Sequence, residues 1–434
     1  MDAARHRTAL LGGLAAAVPD GLIHGDANTS VGGIRYDSRL VAPGDLFAAL
    51  VGADADGHAY AAAAVSRGAA ALLVEHPLDL GVPQLVVPNS RAALALVAAE
   101  FWGHPSREIG VVGITGTDGK TTTSFLVDHL VRSAGLKTGM VGTVAVRVGD
   151  EEIVHETRQT TPESADLQAY LRAMVDAGAA WAILEATSHG LAMHRLDGIA
   201  FRIGAVTNVT HEHLDFHGSV ENYRRAKGIL FARVAAHGGT AIVNVDDAGA
   251  RTMLDYAAGA RLLRYGVDGG DADLRAVDVR SDGRGSRFRL ETADWGTATI
   301  DLPLIGGFNV ANALCAAGVA LATGLPLPAI ADGLATAPPI PGRMVTVDAG
   351  QPFSVVVDYA HTPDALEKVL TLLRGLHPDG RLIAVFGSAG ERDVAKRPAQ
   401  GAVAARLADF AVFTTEDPRH EDPDAIIDLI ADGA

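Results

Sequence analysis

A chain of 434 residues is longer than one hydrophobic core usually organises, so roughly two to four domains are expected. With 48% hydrophobic and 20% charged residues it reads as globular rather than disordered, and a formal net charge of −16 excludes the basic footprint that a nucleic-acid surface needs. Any anionic ligand must therefore be met by local Lys and Arg. The lone cysteine, Cys315, excludes an intramolecular disulfide, fits a reducing compartment and sits in an Ala-rich helical run as inert core.

At the start, Arg5 and Arg7 precede the apolar run 9–18, which loosely imitates a signal peptide. The run is poor in leucine and no cleavage site follows, so an ordinary first helix is expected. No run approaches the ~18 apolar residues of a membrane span, and a cytoplasmic, monomeric protein without membrane insertion is expected. Residues 1–107 alternate short strands with Ala-rich helices, as in 33–39, 45–50, 70–75 and 84–88, and form a first small α/β domain. Within it Asp37-Ser38-Arg39 lies at a strand-to-turn junction, where polar side chains face a ligand or merely cap the turn.

A second domain, 108–337, opens on Gly110-Val-Val-Gly-Ile-Thr-Gly-Thr-Asp-Gly-Lys-Thr-Thr-Thr123. A strand over 109–114 runs into a glycine-rich turn, and a helix begins at Thr121. Glycines let backbone N–H groups converge on phosphate oxygens, and a helix N-terminus adds positive potential. Lys120 would reach the terminal phosphates and the Thr121 hydroxyl would ligate Mg²⁺. The strict G-x4-G-K-[ST] pattern wants Gly at 114, where this chain has Ile114, with Gly116 inside the loop instead. A strand over 181–185 ends in Glu185-Ala-Thr-Ser-His-Gly190, and another, 204–209, ends in Thr210-His-Glu-His-Leu-Asp-Phe-His217. Ligands bind off the carboxyl ends of strands in open α/β sheets, so both clusters are expected to face the loop. Glu185 and His213 read as functional; for His211 and His217 a solvated loop is an equal alternative. The helix over 223–231 puts Lys227 amid apolar neighbours, where a lysine normally snorkels to the surface. Asn309 and Asn312 lie one turn apart on a further helix. Pro338-Pro-Ile-Pro-Gly342 is the linker to a third, Rossmann-like α/β domain, 338–434, with strands near 354–358, 381–387 and 410–415 and no G-x-G-x-x-G fingerprint.

Together these segments resemble the Mur ligases of peptidoglycan synthesis, of the MurE type. The resemblance is carried by Tyr36-Asp-Ser-Arg39, T-G-T-D-G-K-T-T, Thr160-Thr-Pro162, Glu185-Ala-Thr-Ser-His189, the 208–218 cluster, the 223–231 helix, Phe308-Asn-Val310, Gly342-Arg343, the Asp358–Lys368 stretch, the run from Phe386 to Pro398, and Glu416-Asp-Pro-Arg419. It implies a three-domain α/β architecture with a central P-loop parallel-sheet ATPase domain. The implied activity is ATP-driven addition of a diamino acid to UDP-N-acetylmuramoyl-L-alanyl-D-glutamate through an acyl phosphate. By the same resemblance Gly116, Thr117, Asp118, Gly119, Lys120, Thr121 and Thr122 hold the ATP phosphates, while Asn309, Arg343 and Asp358 hold the nucleoside. Thr121 and Glu185 ligate one Mg²⁺, and His213 with Lys227, carbamylated by CO₂ (N6-carboxylysine), holds a second. Lys120, Glu185, His213 and Lys227 are the implied catalytic set. Ser38, Thr160, Thr161, Ser188 and Arg195 would hold the UDP-muramoyl dipeptide, and Arg392, Glu416, Asp417 and Arg419 the incoming amino acid.

The sequence departs from the family pattern at several places. Asp118 replaces the usual loop Asn, Thr187 a Ser, Glu212 an Asp, Met193 a substrate-binding Gln and Val345 a Glu. The Asp-Asn-Pro-Arg motif that marks diaminopimelate-adding members reads Glu416-Asp417-Pro418-Arg419 here. Arg419 suits a distal carboxylate, whereas the two acids favour a distal ammonium, so lysine or ornithine stands as an alternative to meso-diaminopimelate. Family members continue past residue 434 with further strands and a Gly-Lys-Gly-His-Glu loop, so the third domain is expected to be incomplete. Two other readings are carried: a ligase like folylpolyglutamate synthetase, and an inactive nucleotide-binding scaffold.

Overall fold

The computed structural model describes residues 7–52, 55–153, 159–210, 212–391 and 393–434. Arg392 and His211, both singled out above, lie outside the described residues.

The middle of the chain builds one sheet of eleven strands. In spatial order they are Glu151–Ile153, Val146–Val148, Thr138–Val141, Trp181–Glu185, Gly110–Thr115, Ile203–Val206, Thr240–Asn244, Arg261–Gly266, Leu274–Asp282, Gly285–Thr292 and Gly296–Leu302. The seven strands from Thr138–Val141 to Leu274–Asp282 run parallel, and antiparallel hairpins finish both edges. Gly110–Thr115 is buried at every position, which explains its continuous apolar run: a parallel strand covered on both faces has no solvent side to alternate with. The helices Lys120–Ser133 and Gly307–Thr323 pack on one face and Val220–Ala236 on the other, giving two apolar layers. Cys315 is fully buried in the first, and burial pushes its thiol up to about 12, so it is core.

The N-terminal unit carries a five-stranded sheet ordered Leu22–His24, Gln84–Val86, Ala71–Val74, Asp45–Ala48, Gly33–Arg35, with Leu22–His24 antiparallel and the rest parallel. The first described helix, Leu11–Ala16, packs into its core. In the C-terminal unit Ile383–Phe386 pairs in parallel with Phe410–Phe413 between the helices Pro363–Leu376 and Lys396–Leu407. The strand expected near 354–358 differs. Val355–Val357 pairs antiparallel with Val345–Val347 as a separate hairpin rather than joining that sheet. Only three residues reach extended pairing there, and the short ladder is satisfied locally beside the 338–342 linker.

Candidate active site

The three central strand ends named from sequence do converge, because Trp181–Glu185 and Ile203–Val206 pair directly with Gly110–Thr115 on either side. Between strand and helix the chain turns through Gly116 (φ +151°) and Gly119 (φ +81°). A Cβ on Gly116 would lie 1.9 Å from the Thr207 Oγ1, and one on Gly119 2.3 Å from the Asn312 Oδ1. Glycine is therefore required at both positions by space as well as by backbone angle. The helix starts at Lys120 with no side-chain cap, which leaves the N–H groups of its first turn for a ligand. The Ile114 that breaks the strict pattern is fully buried inside the strand; the turn begins two residues later, at Gly116.

Lys120 folds back over the loop, its Nζ donating to the carbonyls of Gly116 (2.9 Å) and Thr117 (2.8 Å). Lys227 donates to the same Gly116 carbonyl at 2.8 Å and lies over the Tyr223 ring, 4.5 Å from its centroid. It does not snorkel: it is 1% exposed. Burial, reinforced by the charge of Lys120, pulls its ammonium well below the ordinary lysine range. Tyr223 itself is buried and shares its hydroxyl with the Thr117 Oγ1 at 3.0 Å.

Glu185 is 2% exposed, yet among the described residues it has no ion pair with a Lys or Arg. Its carboxylate accepts from the Thr121 Oγ1 (3.2 Å), the Thr143 Oγ1 (3.0 Å) and the Thr143 N–H (3.1 Å), and a Cβ on Gly142 would lie 2.2 Å from it. A buried carboxylate supported by neutral hydroxyls beside a phosphate loop fits a hard divalent cation. His213 sits in a left-handed conformation (φ +54°), edge-on to His189 at 4.6 Å, with its Nε2 3.7 Å from Glu212. Burial lowers the His213 imidazole, against the opposing pull of Glu212, and favours the neutral form that ligates metal. Burial and then the neighbouring His213 lower His189 and His217 to about 4. His217 is buried, which removes the solvated-loop alternative for it. Among the described residues no three His, Cys, Asp or Glu side chains converge as a metal cage. The Thr121–Glu185 pair fits Mg²⁺, whereas a second site at His213 needs Lys227 to become an anion.

The expected nucleoside residues Asn309, Arg343 and Asp358 all line one cleft between the central and C-terminal units, enclosing about 780 Å³ of partly solvent-open space. Arg343 donates to the Thr121 Oγ1 at 3.2 Å and stacks 4.8 Å from the centroid of Tyr359, while Asp358 accepts from the Met344 N–H. Sequence reasoning left out Tyr359, His361 and Lys368, which line the same cleft. The motif containing them was legible, but their facing direction depends on how two domains meet. Glu212 illustrates this: its carboxylate lies 3.7 Å from His361 of the other unit. Burial would raise it, but the polar contact with His361, with His213 and Lys120 nearby, wins and holds it at about 2.

Of the residues expected to hold the dipeptide substrate, Thr160, Thr161, Ser188 and Arg195 cluster behind Glu185. Thr160 bonds Thr143 (2.9 Å), Thr161 donates to the Glu185 carbonyl (2.7 Å), Arg195 donates to the Thr161 carbonyl (3.0 Å), and Ser188 is buried beside them. Met193, at the position of a substrate-binding Gln, places its Sδ 3.7 Å from the Arg195 guanidinium. Ser38 lies on the N-terminal unit in a single helical turn capped by Asp37. That unit docks through Tyr36 to Asp166 and Arg91 to Glu163, and Glu163 also meets Arg195 at 2.9 Å. In the C-terminal unit Glu416 and Asp417 are exposed. Arg419 lies 3.8 Å from both Glu391 and Asp417, so its charge is shared with two carboxylates.

Comparison with known proteins decides the family. Family models match three consecutive stretches: "Mur ligase family, catalytic domain" over residues 30–102, "Mur ligase middle domain" over 114–320 and "Mur ligase, glutamate ligase domain" over 342–434. A UDP-N-acetylmuramyl-tripeptide synthetase of Roseiflexus sp. (strain RS-1) is 50% identical over 422 residues, covering 94% of this chain and 82% of that relative. This chain belongs to the Mur ligase family. A UDP-N-acetylmuramoyl-L-alanyl-D-glutamate–2,6-diaminopimelate ligase of Bacillus licheniformis is 41% identical over 417 residues, 94% of this chain and 84% of that one. A solved structure of an enzyme with the same name superposes with a TM-score of 0.72 at 30% identity, over 98% of this Mur ligase and 86% of that chain. Mycobacterium tuberculosis folylpolyglutamate synthase complexed with ADP superposes at 0.66 with 21% identity, over 78% of this chain and 82% of that one, a likeness of fold alone.

Proposed function

We propose that this Mur ligase adds meso-diaminopimelate to UDP-N-acetylmuramoyl-L-alanyl-D-glutamate with cleavage of ATP to ADP and phosphate. The observation that carries this reading is a phosphate loop whose Lys120 and Thr121 stand directly beside a buried Glu185, without an ion pair to Lys or Arg among the described residues, and a buried Lys227, in a chain similar to a diaminopimelate ligase over most of its length.

The chemistry follows from the acceptor. A carboxylate is a poor acyl donor, so the γ-phosphoryl group is first transferred to it, breaking the bond to ADP. The amine then attacks the acyl phosphate, a C–N bond forms and inorganic phosphate leaves. Gly116–Thr122 cradle the phosphates with backbone N–H groups. Lys120 leaves its two loop carbonyls to meet the transferring group, where its charge acts on the transition state. Thr121 and Glu185 would hold one Mg²⁺, with His213 and carbamylated Lys227 holding a second; bound there, the ions supply charge neutralisation at the phosphoryl oxygens. The depressed Lys227 amine is the neutral nucleophile that CO₂ requires, and loss of its cation removes repulsion from Lys120. Asn309, Arg343 and Asp358 orient the nucleoside. Ser38, Thr160, Thr161, Ser188 and Arg195 hold the UDP-muramoyl dipeptide. Arg419, with Arg392, selects the distal carboxylate of the amino acid, and the neighbouring Asp417 and Glu416 meet its distal ammonium.

The test is phosphate release from ATP with Mg²⁺, bicarbonate and the UDP-muramoyl dipeptide, across meso-diaminopimelate, lysine and ornithine. Turnover with diaminopimelate at least about tenfold above the other two is expected. Equal or greater turnover with lysine or ornithine overturns the amino-acid assignment, and stimulation by a folate with glutamate instead overturns the substrate class.

A further inference from the structure

The phosphate loop holds a group that the reaction above does not use, the side chain of Asp118. Its backbone is pinned on both sides, the N–H donating to the Asn208 Oδ1 (2.9 Å) and the carbonyl accepting from Thr207 and Asn208. The carboxylate thereby projects into the nucleotide cleft, where its Oδ2 is buried without a hydrogen-bond donor among the described residues. Burial raises this carboxyl above its ordinary range, opposed by the charges of Lys120 and Lys368. A carboxylate among N–H groups arranged for phosphate repels the ligand the loop is built to take. While the site is empty Lys120 offsets that charge, but Lys120 must go to the phosphates once nucleotide binds. Among the described residues the other cation within reach is Lys368, whose Nζ lies 4.0 Å from the Asp118 Oδ2.

Lys368 stands on the helix Pro363–Leu376 of the C-terminal unit, so this contact crosses the cleft. Its other partner, Asp364, is one turn back on the same helix, at 2.5 Å and half exposed, while Lys368 itself lines the cleft. The same seam carries Arg343 on Thr121 and His361 beside Glu212. We propose that Asp118 and Lys368 are a compensating pair: Lys368 neutralises the carboxylate of the phosphate loop and thereby ties nucleotide affinity to the seating of the C-terminal unit. Lys368 acts here through Asp118 and is a positioning residue. The pairing rests on the ATP-site reading, and it explains why an acid is tolerated in a loop that binds anions.

The experiment is a double-mutant cycle on the full chain, reading the affinity for Mg²⁺–ADP by titration calorimetry and the KM for ATP by phosphate release. K368A in the wild-type loop is expected to weaken ADP binding about tenfold, and K368R to restore most of it. In a D118N background the same K368A change is expected to cost less than about twofold, a coupling of the size found for charges in contact. Equal losses from K368A in both backgrounds overturn the pairing while leaving the ATP site intact. Absence of ADP binding by the wild-type protein overturns the ATP-site reading itself. Circular dichroism melts of each variant separate a folding defect from a binding one, and a loss in K368A that follows its melting point rather than the residue at 118 also overturns the pair.

Discussion

Gly116 combines a backbone angle that side chains rarely adopt with a Cβ position already filled by Thr207. Gly116→Ala is therefore expected to distort the loop by about 1–3 kcal/mol of local strain and to abolish detectable ADP binding while the protein still melts cooperatively. Lys227 is the other residue whose chemistry stands on one atom. Lys227→Ala is expected to lower phosphate release at least about a thousandfold, and the wild-type protein incubated with ¹³C-bicarbonate to give a carbamate resonance that the variant lacks. Near-normal turnover by the variant would refute the carbamate assignment. At this scale the sequence was most informative where chemistry is unusual. A lysine among Ala226, Gly228 and Ile229 was noticeable, yet its burial was not, because the pattern of a snorkelling lysine is the same one. Asp118 was visible as a departure from the family loop, but its partner lies 250 positions later and faces it only through domain packing.

Elements behave differently, because their stability is set by who packs against them. The loop helix Lys120–Ser133 carries Asp128 on its buried side, where it accepts from the Thr138 Oγ1 and pairs with Arg147 of the strand Val146–Val148, second from the sheet edge. Asp128→Ala leaves that largely covered guanidinium with only the exposed Glu152, at 3.3 Å, as its partner, and is expected to destabilise the central unit by about 2 kcal/mol in denaturant titrations. In the C-terminal unit the bidentate pair of Arg397 with Glu421, joined by the Glu391 N–H, laces the 389–391 loop to the 417–421 loop. Arg397 and that N–H hold the Glu421 carboxyl down at about 2, below its ordinary 4.5. A depressed folded value means stability that is present above about pH 4.5 and lost as pH falls through 2. Unfolding of the C-terminal unit is thus expected to ease over that window, and Glu421→Gln to flatten the dependence. The strand–loop–helix and the parallel strands were readable from period and turn chemistry alone. The Val345–Val347/Val355–Val357 hairpin was not, since a three-residue apolar run carries no information about which neighbour it pairs with.

For the whole molecule the seam between the central and C-terminal units matters most, because the proposed nucleotide cleft is made of both. Arg343→Ala removes a contact to Thr121 and a face of the Tyr359 stack. It is expected to raise the KM for ATP about tenfold and to leave the melting point nearly unchanged, a split that separates a role in the cleft from a role in folding. The order of the eleven-stranded sheet has one more result. The strand that ends in the phosphate loop is the fifth of eleven, with a parallel ladder on either side and every residue buried. Its amides can reach deuterium only when the sheet as a whole opens, whereas the terminal hairpins fray at low cost. Isotope exchange should accordingly run inward, fastest at Glu151–Ile153 and Gly296–Leu302 and slowest at Gly110–Thr115, so that the backbone delivering the loop is the last part of the protein to forget its shape.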